Sequence, residues 1–348
     1  MQSYDNPKKF ILLYSCKFKL MQTVRFIILL TLSFLVLSSC KKEIELNAEW
    51  KEITIIYGVL NQLDSAHYIK VTKAFLGPGN AMQYAREQDS SNFSNRMDVT
   101  LEAWDGATLV AIYRFDTTTI YNKDSGLFYY PNQLVYSNDS ILNASYTYKL
   151  NVRNPENGNV CRSETKLVHD FDIGKPLYLQ KINFKSGVRN PIEWISAEGG
   201  KRYQIIIRFH YLESELNNLN QVEAKYIDWV VFSNEQSKTD EGGEEINKSY
   251  DGGGFYQFLN ASLTIDPNLS RVARGVDYLF VVAGNDLNTY IEVTQPSNSI
   301  IQEKPSFSNI ENGIGLFSAR FLKLDSHQLT TETIQELKVN PLTKDLGF

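Results

Sequence analysis

The side chains of this 348-residue chain whose chemistry is easiest to specify are three thiols, Cys16, Cys40 and Cys161. Cys40 closes the segment Leu37-Ser38-Ser39-Cys40, which follows an uncharged apolar run from Phe26 to Leu37 and precedes Lys41, Lys42 and Glu43. Arg25 stands just before that run, with Lys17 and Lys19 further upstream. A basic flank, a short apolar core and small residues at the cut are the parts of a secretory signal. The run falls short of the roughly 20 apolar residues that a bilayer-spanning helix needs, which disfavours a retained anchor helix. A cut before Cys40 is therefore expected, and it removes Cys16. Met21 opens a better-shaped leader than Met1, so residues 1–20 read as an over-extended start. Cys161 then has no partner for an intrachain disulfide and reads as a small buried hydrophobe.

The remaining reactive residue types are scattered. His67, His169, His210 and His327 stand at no metal-ligand spacing and beside no Cys or Asp/Glu cluster of the kind zinc needs. No Gly-x-Ser-x-Gly elbow, phosphate-binding loop or dinucleotide fingerprint occurs. Asp251-Gly252-Gly253-Gly254 is glycine-rich but lacks the lysine and hydroxyl that hold phosphate, and Glu241, Glu244 and Glu245 cluster in a polar stretch with nothing apolar to raise a pKa. Asn285, Asp286 and Asn288 do not have EF-hand spacing, and capping of a helix by Asn285 or Asp286 explains them more simply than calcium does. No catalytic residue, metal or cofactor is expected. Tyr129, Tyr130, Tyr226 and Tyr250 are candidate aromatics for contact with a sugar or peptide, whereas Trp229, in an apolar run, reads as core.

These residues are carried by β-type patterning. Ile53–Leu60, His67–Phe75, Val99–Trp104, Thr108–Phe115, Tyr146–Val152 and Val160–Val168 read as strands, with hairpin turns at Asp105-Gly106 and Asn157-Gly158. Tyr146, Tyr148, Leu150 and Val152 alternate onto one face. Further strands are expected at Leu177–Phe184, Tyr203–Tyr211, Tyr226–Phe232 and Tyr278–Ala283. A polar loop is expected over residues 234–254, a long loop or a short helix around Ala81–Arg86 within Gly77–Arg96, and short helices at Phe255–Leu263, Asp286–Thr294 and Thr331–Leu337, the last stopped by Asn340-Pro341. The fold class expected is mainly β. It comprises two β-sandwich domains of immunoglobulin or fibronectin type with a few short helices, over residues 53–170 and 171–348, after a signal peptide (1–39) and a tether (40–52).

Charge narrows the partners. The chain has 35 Lys plus Arg against 40 Asp plus Glu; beyond residue 39 this becomes 30 against 39, a formal charge of −9. Phosphate binding needs a basic face, so nucleic acid is not an expected partner, and charge-driven adhesion to anionic lipid is disfavoured too.

The Leu-Ser-Ser-Cys segment resembles the lipobox of bacterial lipoproteins. That resemblance implies a thioether-linked lipid on Cys40, an acylated new amino terminus and stable attachment through several acyl chains. Lys-Lys-Glu-Ile-Glu after Cys40 resembles the surface-export signal of Bacteroidota lipoproteins, with Ile44 interrupting the acidic pair. Asp64-Ser65-Ala66, Asp116-Thr117-Thr118 and Asp139-Ser140-Ile141 resemble the O-glycosylation acceptor of exported proteins in that phylum, which implies modification at Ser65, Thr117 and Ser140.

Near the C-terminus, Asn309, Ile310, Asn312, Gly313, Gly315 and Phe317 form a pattern of Asn-Ile, then Asn-Gly-x-Gly-x-Phe, after Pro305. With the Ile-Thr-Ile-Ile-Tyr-Gly-Val-Leu strand, Trp104-Asp105-Gly106 and Tyr148–Pro155, it resembles a family of Bacteroidota outer-membrane lipoproteins labelled domain of unknown function 4249. The pattern also reads physically as a turn feeding a core strand, with Gly313 free to take a positive φ and Gly315 admitting a close backbone approach. The resemblance implies a lipid-anchored outer-membrane protein, on the periplasmic or the cell-surface side, whose genes accompany TonB-dependent receptors, and it implies no catalytic residue. The expected function is a non-enzymatic binding or accessory subunit, in partnership with an outer-membrane TonB-dependent transporter. A glycan or peptide hydrolase using Asp and Glu, and a structural component of envelope assembly, are the alternatives.

Overall fold

The computed structural model describes residues 53–74, 86–87, 91–121, 124, 126, 132–295 and 306–348. The leader, Cys40, the tether, Tyr129, Tyr130 and most of Ala81–Arg86 lie outside these residues. Trp50–Phe348 forms one compact unit.

The class is mainly β, as expected, with fifteen strands in three sheets and three helices among the described residues. An eight-stranded sheet has the order β12-β11-β14-β15-β1-β2-β6-β5. Its strands are β1 (Ile53–Leu60), β2 (His67–Ala74), β5 (Asp116–Ile120), β6 (Gln133–Asn138), β11 (Arg202–Glu215), β12 (Asn218–Gln236), β14 (Leu269–Ala283) and β15 (Ile314–His327). A four-stranded sheet, β4-β3-β7-β8, holds β3 (Asp98–Asp105), β4 (Thr108–Arg114), β7 (Thr147–Arg153) and β8 (Val160–Lys166). The third sheet, β13-β10-β9, comprises β9 (Ile173–Lys175), β10 (Arg189–Ile195) and β13 (Glu245–Asp251).

Alternation decides which faces are buried. Tyr148, Leu150 and Val152 of β7 turn inward with Val99, Leu101 and Ala103 of β3, while the residues between them face out. One apolar cluster joins these side chains to Ile205, Ile207 and Phe209 of β11, Phe280 of β14, Phe317 of β15 and Trp194 of β10. Helix α1 (Gly253–Ser262) adds Phe255 and Leu259, and α3 (Thr331–Val339) adds Leu337.

The expected boundary near residue 170 does not divide the sheets. Ile55–Leu60 of β1 pair in parallel with Ile314–Ala319 of β15, so strands from either side of that boundary share the eight-stranded sheet. A pairing partner some 260 positions away leaves no local signature in the sequence, whereas the hairpins do. Three further expectations are corrected. Leu177–Phe184 is a turn-bearing segment that forms no strand beyond a single bridge at Ile182, and its Leu177, Tyr178 and Leu179 are exposed. The polar stretch 234–254 contains β13, paired with β10 through its backbone in spite of its polar composition. Helix α2 (Asn285–Thr294) is capped by extended Gly284 with no side-chain cap, not by Asn285 or Asp286.

Candidate functional site

The outward face of the four-stranded sheet gathers polar groups around one indole. Strand pairing sets Glu102 of β3 opposite Lys149 of β7, and Lys149 opposite Glu164 of β8. It likewise sets Thr100 opposite Asn151, and Asn151 opposite Arg162. Period-two alternation drives the apolar residues between them into the core, so these side chains have only the outer face to occupy. The β3–β4 register slips between Ala103 and Trp104, and a bulge of this kind re-aims the side chain that follows it. Trp104 Nε1 donates to Glu102 Oε2 at 2.9 Å, Asn151 Nδ2 donates to Glu102 Oε1 at 3.2 Å, and Lys149 Nζ stands 4.6 Å from the Trp104 ring centroid. Both oxygens of Glu102 are thus used to hold the ring and its neighbour. Lys149, Arg162 and Glu164 make no ion pair within 4 Å among the described residues, although Lys149 and Glu164 are cross-strand neighbours. An open cleft of about 590 Å³ lies over these residues and reaches Ser163, Asn309 and Glu311.

The floor at the rim of that cleft is built by the C-terminal motif. Asn309 Nδ2 donates to Phe317 O at 2.7 Å and to Asp286 Oδ2 at 2.8 Å, and Asn309 Oδ1 accepts from Phe317 N at 2.9 Å. Its carbonyl accepts from Ser163 Oγ at 2.8 Å. Glu311 exchanges backbone hydrogen bonds with Arg162, and Asn312 Nδ2 donates to Val160 O at 3.1 Å. Ile310 is buried, as is Phe317. Asn312, not Gly313, takes the positive φ, at 58°; Gly313 lies against Thr54 O and Cys161. Gly315 has φ 126°, and a Cβ there would lie 1.9 Å from Ile56 O. The motif thus ties the start of β15 to β8, α2 and β1, and its polar atoms are spent on the fold.

The other residues named from sequence are dispersed. Tyr250 is 6% exposed and its hydroxyl shares a 2.6 Å hydrogen bond with that of Tyr278, so it is a core residue and not a ligand contact. Burial pushes the Tyr250 phenol well above its ordinary pKa. Ser65 and Thr117 are exposed and Ser140 is partly so. Because β2, β6 and β5 are adjacent, with His67 opposite Asn138 and Asp116 opposite Ser137, all three hydroxyls fall near one end of three neighbouring strands. His67 is buried, with Nε2 3.0 Å from Ser140 O. His210 meets Asp277 Oδ2 at 2.7 Å, and His327 is held between Gln180 O and Asp325. Trp229 stacks on Phe258 against the core, as read from the sequence. The Glu102–Trp104 and Lys149–Asn151 pairs went unread as a face. The usable signal was the alternation in each strand, which needs the register between strands before it yields a surface.

A second cleft, of about 450 Å³, is lined by Glu164, Glu198, Asp240, Glu241 and Asp286 together with Lys166. Among the described residues no group of His, Cys, Asp and Glu is arranged to hold a metal ion. No family model and no curated protein matches the chain.

Proposed function

We propose that the protein is a lipid-anchored subunit of the cell envelope that binds without catalysis, held at the outer membrane through acyl groups on Cys40 and serving a TonB-dependent transporter. The observation that carries this reading is the junction Leu37-Ser38-Ser39-Cys40, an apolar run closed by small residues and a cysteine, followed at Trp50 by a compact β unit. An anchor and a short tether suit a protein that presents a surface, and the outer face of the four-stranded sheet is the surface that the fold supplies. The test is intact mass spectrometry of membrane-extracted protein beside a Cys40→Ala variant, with protease shaving of whole cells. An acylated Cys40 at the mature terminus, lost in the variant, supports the reading; a bare Cys40 with the leader retained removes it. Recovery of a β-barrel receptor with the tagged protein supports the transporter partnership, and repeated recovery without one removes that part.

A second reading has the carboxylate cleft in its favour. A glycan or peptide hydrolase would draw its acid and base from Glu164, Glu198, Asp240, Glu241 and Asp286. Gly199, next to Glu198, is tied to Asp240 through the backbone, its N–H donating to Asp240 O at 2.7 Å. Hydrolysis of a polysaccharide or peptide panel that disappears in Glu198→Gln and Asp240→Asn variants supports this reading, and no turnover by the unaltered protein removes it.

A further inference from the structure

We infer that the outer face of the four-stranded sheet is a docking site for a neutral polysaccharide, with a sugar ring seated at Trp104. This rests on the reading of the chain as a binding subunit and names its ligand class.

The charges decide the class first. Around the indole, Glu102, Lys149 and Glu164 alternate in charge across three neighbouring strands, and Arg162 stands two residues from Glu164 along β8, opposite Asn151. An anionic ligand would meet the two carboxylates, and Glu311 at the rim; a cationic one would meet the ammonium and the guanidinium. A hydroxyl both donates and accepts, so a polyhydroxylated neutral chain can satisfy both kinds of group at once. Among the described residues Lys149, Arg162 and Glu164 make no ion pair, Lys149 standing instead against the Trp104 ring, which leaves their hydrogen-bond donors and acceptors available to such a chain.

The geometry then separates a sugar from a peptide. An extended peptide usually joins a sheet by pairing with a free edge. Trp104 and Lys149 lie on β3 and β7, which are interior to the sheet. The outer strand on that side, β8, is already engaged at Arg162 by Glu311. What the face offers is one aromatic ring at a bulge, its Nε1 fixed by Glu102, amid polar groups on a regular strand spacing. The apolar face of a pyranose packs on such a ring, and a ring held by its neighbours loses little freedom on binding.

The test is affinity electrophoresis of the full chain, purified in a mild detergent, through native gels carrying soluble xylan, mannan, dextran, starch, polygalacturonate or gelatin. Retardation by at least one neutral polysaccharide is expected, weakened roughly tenfold or more by Trp104→Ala. Trp104→Phe recovers part of it. Arg162→Ala, which leaves the backbone bonds to Glu311 in place, also weakens it, and Tyr68→Ala, at an exposed tyrosine of β2 in the eight-stranded sheet, leaves it unchanged. Retardation by none of the neutral polysaccharides, by polygalacturonate or gelatin alone, or equally by the Trp104→Ala and Arg162→Ala proteins overturns the inference. An acylated Cys40 with no retardation removes this inference and spares the anchored reading; a bare Cys40 with retardation does the reverse.

Discussion

The Arg271 guanidinium, whose side chain is 2% exposed, is neutralised from the next strand by Glu213, with Nε 2.8 Å from Oε2, and is bound at its other end to the C-terminal residues of the chain. Its Nη1 donates to Leu346 O and, at 3.1 Å, to Thr264 O, and its backbone N–H donates to Gly347 O at 2.7 Å. Phe348 lies against Phe209 and Tyr211. One buried charge therefore joins β14, β11 and the last residues of the chain. Removing one member of a buried pair costs about 3–5 kcal/mol where the other is left uncompensated, and that holds for loss of Glu213, because Arg271 pairs with no other carboxylate among the described residues whereas Glu213 also pairs with Lys225. Glu213→Leu is expected to lose that much in urea unfolding, and deletion of residues 346–348 to lose less, since Glu213 keeps Arg271. Equal losses would show that the tail, and not the ion pair, dominates.

Glu213 also sets an acid-side dependence. Burial alone would raise its pKa, but Lys225 and Arg271 outweigh burial and hold it below the ordinary 4.5. The unfolded chain then binds the proton first, so this stabilisation is complete above pH 4.5 and is lost as pH falls through the lower folded value. Urea midpoints between pH 6 and pH 3 should fall less steeply in Glu213→Gln than in the unaltered protein.

His67 acts in a higher window. Burial lowers its pKa below the ordinary 6.5, against a smaller upward pull from the Ser140 carbonyl and Asp64. Its Nδ1 is buried and has no hydrogen-bond partner among the described residues. The unfolded state takes up this proton first, so stability is highest above pH 6.5 and declines as pH drops below it. His67→Gln is expected to flatten the slope just below pH 6.5 while leaving the Glu213 slope intact, and midpoints following the unaltered protein across both windows would refute the assignment.

Two glycines with positive φ should respond unequally to alanine. At Gly106, φ is 56° and a Cβ would meet nothing within 4 Å, so only the backbone penalty of about 1–2 kcal/mol applies. At Gly315 a Cβ would sit 1.9 Å from Ile56 O, between two hydrogen-bonded strands. Gly315→Ala is expected to cost about 4 kcal/mol or more, in the range reserved for core disruption. Thermal unfolding of the two variants side by side checks this; similar melting temperatures would contradict it.

Cys161 is buried, its Sγ lies 3.2 Å from Asn312 O, and burial raises the thiol above its ordinary pKa despite a hydrogen bond with Thr54. Thiolate is the reactive form, so iodoacetamide should label Cys161 in urea and hardly at all in the folded protein. Rapid labelling of the folded protein would mean that the Asn312 turn opens readily.

How far the sequence was readable depends on the distance between interacting residues. Ile53–Leu60 matches β1 residue for residue, and Tyr148, Leu150 and Val152 are buried on one face as their alternation implied, because alternation and local turns act within a few positions. The parallel partnership of β1 and β15 was illegible, since either strand would present the same pattern beside another neighbour. β13 was missed because Glu245–Asp251 is mostly polar and takes its order from the β10 backbone. Tyr250 was misplaced for the same reason: its loop-like surroundings conceal that it points at Tyr278. The outer face of the four-stranded sheet was half legible. Glu102 and Trp104 are visible as outward residues of one strand, but their company with Lys149, Asn151 and Arg162 exists only once the register is known.

The central position of β1 has a mechanical consequence. For a chain hung from Cys40 as proposed, any tension between membrane and body enters the fold at Ile53. That strand is flanked on both sides, by β2 along Ile53–Gly58 and by β15 along Ile55–Leu60. A pull along its axis loads both ladders in shear, so many hydrogen bonds must yield together, where a strand at the sheet margin pulled sideways would unzip them one by one. A body held in this way resists unfolding when it is tugged at its leash, because its first strand cannot be peeled away from one side alone.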